Sequence, residues 1–90
     1  MRVRDSIEQY LRESLRPTRL EIEDQSYRHA GHAGARPEGE THFHVIVVAD
    51  VFTGKSRVER QRMVYDALKE LMASRIHALS LATLTPAEDR

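Results

Sequence analysis

Four of the five histidines in this 90-residue chain fall within RHAGHAGARPEGETHFH, residues 28–44, and the fifth, His77, stands in RIHALSLATL. Imidazole binds transition metals as a neutral base and changes charge near physiological pH. The crowding therefore admits three readings: a metal site, a pH-sensitive surface, or solvated side chains of a polar loop. There is no cysteine. Disulfides, thiol catalysis and any zinc or iron–sulfur site built from this chain's own thiolates are thereby excluded. Metal chemistry here must run on imidazole or carboxylate, or borrow sulfur from another molecule. His42 and His44 share one face of a strand, because strand side chains alternate with a period of two. Such a His-X-His pair can hold zinc or copper; polar residues on a sheet surface are the plainer account.

The other candidate chemistry is basic. Lys55, Arg57, Arg60 and Arg62 gather at the start of a helix, where free amides and cations can hold phosphate. Glu59 sits among them, and the 14 basic and 14 acidic residues of the chain cancel. Zero net charge argues against strong non-specific nucleic-acid binding but leaves room for a local patch. A small hydrolase has little support, because the chain has no thiol, no serine elbow and no evident acid–base pair.

The elements that must position these groups follow from periodicity. Ninety residues suit one domain, a sheet covered by two or three helices. Val3, Ile7, Tyr10, Leu11 and Leu15 form a helical stripe, Glu8 and Arg12 make a favourable i,i+4 pair, and Pro17 stops the helix at Leu15 or Arg16. RLEIED alternates as a half-buried strand. The stretch 26–40 carries three of the four glycines and reads as a long loop. THFHVIVVADVF is apolar on both faces from 45 to 48 and reads as a central strand, antiparallel to the first. Gly54 turns the chain, and SRVE is a capping box in which Ser56 and Glu59 satisfy each other's amides. The helix after it turns Val64, Ala67, Leu68, Leu71 and Met72 inward, with Val58 one turn earlier. IHALSLATL is the third strand, and Thr85-Pro86-Ala87-Glu88 repeats the capping pattern ahead of a short terminal helix. The order is α–β–β–α–β–(α), an α+β fold. The longest apolar run, 45–49, falls far short of the roughly 18 residues of a membrane span. MRVRDSIEQYL lacks the apolar core of a secretory signal, so the default expectation is a cytoplasmic protein with no membrane partner.

SYRH, the loop ending GETHFHV, the run FTGKSRVERQRMVYDALKE and the close IHALSLATLTPAE occur in that order over about residues 7–88. Together they resemble the BolA family. The resemblance implies a class II KH-like fold, a three-stranded mixed sheet with helices on one side, and no enzymatic activity. It implies association with a monothiol glutaredoxin and a shared [2Fe–2S] cluster, with glutathione supplied by the partner. Members are also described as DNA-binding transcriptional regulators. The chain alone is expected as a monomer or weak homodimer.

In the family, the cluster-facing groups are a His or Cys in the loop between the first two strands and a His at the start of the third. The second falls on His77. The first falls on His29 through SYRH, with His32 three residues on as the alternative. A chain with histidines and no cysteine can supply only the imidazole half of such a site, as two imidazoles on one iron do in Rieske centres. Neutral imidazoles in place of thiolates leave the cluster less negative, which raises its potential. Ligation needs deprotonated imidazole, so affinity should weaken below about pH 6.5. Taken without the resemblance, a loop histidine is a solvated one in most proteins, and His77, alternating with Leu79 and Leu81, reads as a histidine at the edge of the core.

KH domains grip nucleic acid through a Gly-X-X-Gly loop between helices; here Gly31-His32-Ala33-Gly34 matches the letters but lies between strands. The family's usual RHR in the second helix is Arg60-Gln61-Arg62, and Gln61 falls on the inward stripe. An amide cannot titrate as imidazole does, which removes any charge switching at that position.

Overall fold

The computed structural model describes residues 2–25 and 42–89. The first stripe winds into α1 (Val3–Leu15), whose Val3, Ile7, Leu11 and Leu15 are all buried. Full burial of a side chain such as Leu11 stabilises the fold by about 1.5–3 kcal/mol. Pro17 cannot continue the helix, and Arg16 closes it in a left-handed conformation, φ 49°, returning its amide to the Arg12 carbonyl. The chain then enters β1 (Arg19–Asp24).

The sheet is mixed. β1 pairs antiparallel with β2 (His42–Val48), and β2 pairs parallel with β3 (Ala78–Leu84), so β2 is central and β1 and β3 are the edges. Alternation sends Phe43, Val45 and Val47 of β2 into the core against Ile7 and Leu11 of α1. The opposite face of β2 carries His42, His44 and Ile46, all half-buried.

A 3₁₀ turn, Asp50–Phe52, buries Phe52, and Gly54 reverses the chain at φ 81°. The capping box forms as the sequence requires: Glu59 N–H donates to Ser56 Oγ at 3.1 Å and Ser56 N–H to Glu59 Oε1 at 2.9 Å. The helix it starts is two helices, α2 (Arg57–Ala67) and α3 (Lys69–Ser74), interrupted at Leu68. The Leu68 amide is shared between the Val64 and Tyr65 carbonyls, a tightening that ends one helix and re-aims the next. Val64 and Leu68 are buried, and Ala67, Leu71 and Met72 pack against the core as expected. Val58 does not: it is 56% exposed. The helical spacing is right, but the first turn of α2 has no core residue beneath it.

The expected terminal helix is also absent among the described residues. Thr85 and Glu88 exchange the capping bonds, Thr85 N–H to Glu88 Oε1 at 2.8 Å and Glu88 N–H to Thr85 Oγ1 at 3.3 Å. They close a turn rather than open a helix before Asp89.

Candidate functional site

Parallel pairing of β2 with β3 puts both strand heads at the same end of the sheet. His42 is in register with Ala78, so His77, one residue before β3, lies beside it. The two imidazole rings are 5.9 Å apart between centroids and parallel within 9°. His77 is exposed and His42 half-buried. An open depression of about 230 Å³ lies on the His42 side of the pair, lined by Gln25, His42, Phe43, Ala78, Leu79 and Ser80. The Gln25 amide ties the end of β1 to this corner by donating to the His42 carbonyl at 2.7 Å.

His29 and His32 lie outside the described residues. His77, by contrast, is brought to an accessible corner and not into the core. The neighbour that sequence reasoning did not pair with it is His42. The alternation rule had put His42 with His44, which is correct for the face. What the rule lacked was the parallel β2–β3 register, and a long-range register is not written in local spacing.

His44 takes a different partner. Its Nδ1 is 2.6 Å from Ser80 Oγ across the uncovered face of the sheet, with Glu23 opposite it on β1. Among the described residues no group of three or more His, Cys, Asp or Glu is arranged to hold a metal ion. A metal ion at the His42–His77 corner would therefore need further ligands from beyond the described residues. Two imidazoles at an open edge supply two of the four donors that a tetrahedral metal site takes.

The four basic residues divide. Lys55, Arg57 and Arg62 are exposed. Arg60 is not available in the same way: its side chain is 14% exposed and is bound to three oxygens. Nε donates to the Lys55 carbonyl at 3.0 Å, while Nη1 donates to the Thr83 carbonyl at 3.1 Å and to Glu88 Oε1 at 2.7 Å. Between α2 and the free edge of β3 runs a groove of about 270 Å³, lined by Arg57, Gln61, Leu81, Ala82, Thr83 and Leu84. Gln61 is half-buried there, on the inner side of the helix as its spacing predicts. Glu59, beside this cluster, has its carboxyl held below the ordinary range, first by the Ser56 amide and hydroxyl and then by Lys55 and Arg62.

With that geometry in hand, comparison with known proteins identifies the lineage. SufE-like protein 1, chloroplastic/mitochondrial, of Arabidopsis thaliana is 48% identical over 92 residues, an alignment that takes in 98% of this chain but 24% of that protein. The DNA-binding transcriptional regulator BolA of Escherichia coli (strain K12) is 44% identical over 85 residues, 94% of this chain and 77% of its own length. The solved structure of BolA1 from Arabidopsis thaliana superimposes with a TM-score of 0.87 at 37% identity, covering 100% of this chain and 99% of that one. The family model described as BolA-like protein matches residues 11–88, and the chain belongs to that family.

Proposed function

We propose that this chain acts, without catalysing a reaction, as a BolA-type partner of a monothiol glutaredoxin, contributing histidine ligands to a shared [2Fe–2S] cluster. The observation that carries the reading is the exposed His77 at the head of β3, with a second imidazole 5.9 Å away, in a chain without cysteine. Such a chain can complete a cluster but not own one. The partner's cysteine and its glutathione would supply the sulfur half, and His77 with a second histidine the nitrogen half. The place of His77 immediately before β3, beside the head of β2, supports the reading, because an imidazole held next to the sheet has less freedom to lose on ligation.

The test is a titration of cluster-loaded monothiol glutaredoxin with the purified chain under anaerobic conditions. A one-to-one complex with changed visible circular dichroism is expected, and His77→Ala should abolish the change. An unchanged spectrum, with no complex on size exclusion, would defeat the reading.

A second reading, DNA binding, is favoured by the groove between α2 and β3, with exposed Arg57 at its rim. The E. coli relative bears that activity in its name. On this reading Lys55, Arg57 and Arg62 meet phosphates, and Arg60 holds the groove wall.

A further inference from the structure

We propose that the groove between α2 and the free edge of β3 docks an extended acidic segment of a partner protein. The segment pairs its backbone with Leu81 and sets a carboxylate against Arg57. This surface belongs to the second half of β3, whereas His77 stands before the first residue of that strand.

The ladder decides which groups of β3 are open. Ala49 N–H donates to the Leu84 carbonyl, so Leu84 bonds toward β2, and Ala82, Ser80 and Ala78 follow by alternation. Leu79, Leu81 and Thr83 turn their N–H and C=O groups to the free edge. Two of those carbonyls are taken from α2, that of Leu79 by the Tyr65 hydroxyl at 3.4 Å and that of Thr83 by Arg60 at 3.1 Å. Leu81, midway between them, keeps both its amide and its carbonyl without a hydrogen-bond partner among the described residues. The guarded edge therefore offers one donor–acceptor pair at one register. A residue of an extended peptide satisfies both groups at once, as in any antiparallel bonded pair. A phosphate can accept from the amide but has no proton for the carbonyl, so this pair favours a peptide over the backbone of duplex DNA.

The wall of the groove selects the side chains. Gln61 is half-buried there, and among the described residues its amide bonds to nothing. It can donate to one peptide group and accept from another. Arg57, at the rim, is exposed and forms no ion pair among the described residues. The neighbouring carboxylates are engaged, Glu59 with the Ser56 amide and Glu88 with Arg60. The unspent charge is thus positive and complements an acidic segment. Val58, one turn before Gln61 on the same side of α2, is 56% exposed and gives an apolar side chain of that segment a contact.

The experiment uses the full ¹⁵N-labelled chain and a fluorescein-labelled heptapeptide of alternating glutamate and valine. Saturable anisotropy is expected, with the largest backbone amide shifts at Leu81 and Thr83 and a shift of the Gln61 side-chain amide. Arg57→Glu, at an exposed position, should weaken binding about tenfold or more, as loss of a charge-assisted bond does; its amide correlation spectrum verifies the fold. The same peptide N-methylated throughout has no backbone donor and should not bind. Equal binding by the methylated peptide, or by an alternating lysine–valine heptapeptide, overturns the proposal, as does binding without a shift at Leu81 or no binding at all. Other occupants have their own signatures. A Leu81 shift that depends on chain concentration without peptide makes the groove an interface between copies. A Leu81 shift produced by a single-stranded or duplex oligonucleotide, but not by the acidic peptide, gives the groove to nucleic acid. Either result overturns the proposal.

Discussion

Arg60 reaches the outer edge of β3 and donates from Nη1 to the Thr83 carbonyl at 3.1 Å. Among the described residues no strand pairs on that side, so the carbonyl would otherwise be an open acceptor of the kind that templates unwanted strand pairing. Tyr65, one and a half turns along α2, approaches the Leu79 carbonyl at 3.4 Å in the same manner. The same Arg60 nitrogen holds Glu88, which in turn caps Thr85. Arg60 therefore joins α2, the edge of the sheet and the C-terminal turn. Arg60→Ala should cost about 1–3 kcal/mol, because it leaves charge-assisted acceptors unpaired. Arg60→Lys should recover only part of this, since an ammonium cannot reproduce the planar fork. Denaturant midpoints measure both; a wild-type midpoint for Arg60→Ala would show the bracket to be inert.

How far such roles can be read in advance depends on the range of the interaction. The stripe of α1, the alternation of RLEIED and both reciprocal capping pairs were legible because each is a local rule about neighbours within four residues. Arg60 read as one cation among four, since nothing local says that Thr83 and Glu88 will lie beside it. Val58 shares the inward spacing of Val64 and Leu68, yet spacing does not say where the core beneath a helix ends. The His42–His77 corner shows the same division. His77 was placed at the head of the last strand through the resemblance, whereas its adjacency to His42 depends on a parallel register set by the whole sheet.

The C-terminal turn predicts a contribution to stability that is lost in acid. The Asp89 carboxyl is held below its ordinary range by the Arg19 guanidinium, which grips it at 2.7 and 2.9 Å, and the Glu88 carboxyl by Arg60 and the Thr85 amide. A carboxyl whose folded pKa is depressed binds protons more readily in the unfolded chain. Its stabilising effect is thus complete above the unfolded value, near about pH 4, and is lost as the pH falls through the lower folded value. Urea midpoints should therefore drop on acidification below about pH 4, and Glu88→Gln or Arg19→Gln should flatten that slope. An unaltered slope in both variants would mean that other carboxylates govern the acid limb.

Gly54 turns the chain between the central strand and α2 with φ 81° and open space where a Cβ would sit. Nothing would clash, so the cost of Gly54→Ala is conformational alone, roughly 1–2 kcal/mol for a left-handed backbone with a side chain. Gly54→Asn should cost less, because asparagine tolerates that region. Equal midpoints for glycine and alanine would show that the turn relaxes to another conformation.

His44 and Ser80 offer a control for the half-site. Their 2.6 Å bond lies on the same face as His42 but holds the imidazole on the uncovered sheet. His44→Ala and Ser80→Ala should each shift stability by no more than about 1 kcal/mol, as exposed hydrogen bonds do. Both should leave the visible circular dichroism of the glutaredoxin mixture unchanged. Loss of that signal in His44→Ala would move the ligand set further along β2.

The nucleic-acid reading makes a separable prediction because Arg60 is already engaged. Each phosphate contact that is removed lowers the steepness of the dependence of affinity on salt by about one. Lys55→Gln, Arg57→Gln and Arg62→Gln, all at exposed positions, should each weaken duplex binding across sequences and reduce that slope while leaving thermal stability near wild type. Arg60→Lys retains the charge but loosens the bracket, so it should lower stability with little change in slope. Fluorescence anisotropy at several salt concentrations distinguishes the two patterns. A slope indifferent to Lys55, Arg57 and Arg62 removes DNA from this face of the molecule, whereas a slope that falls with Arg60→Lys would mean that DNA binding draws its guanidinium away from Thr83 and Glu88.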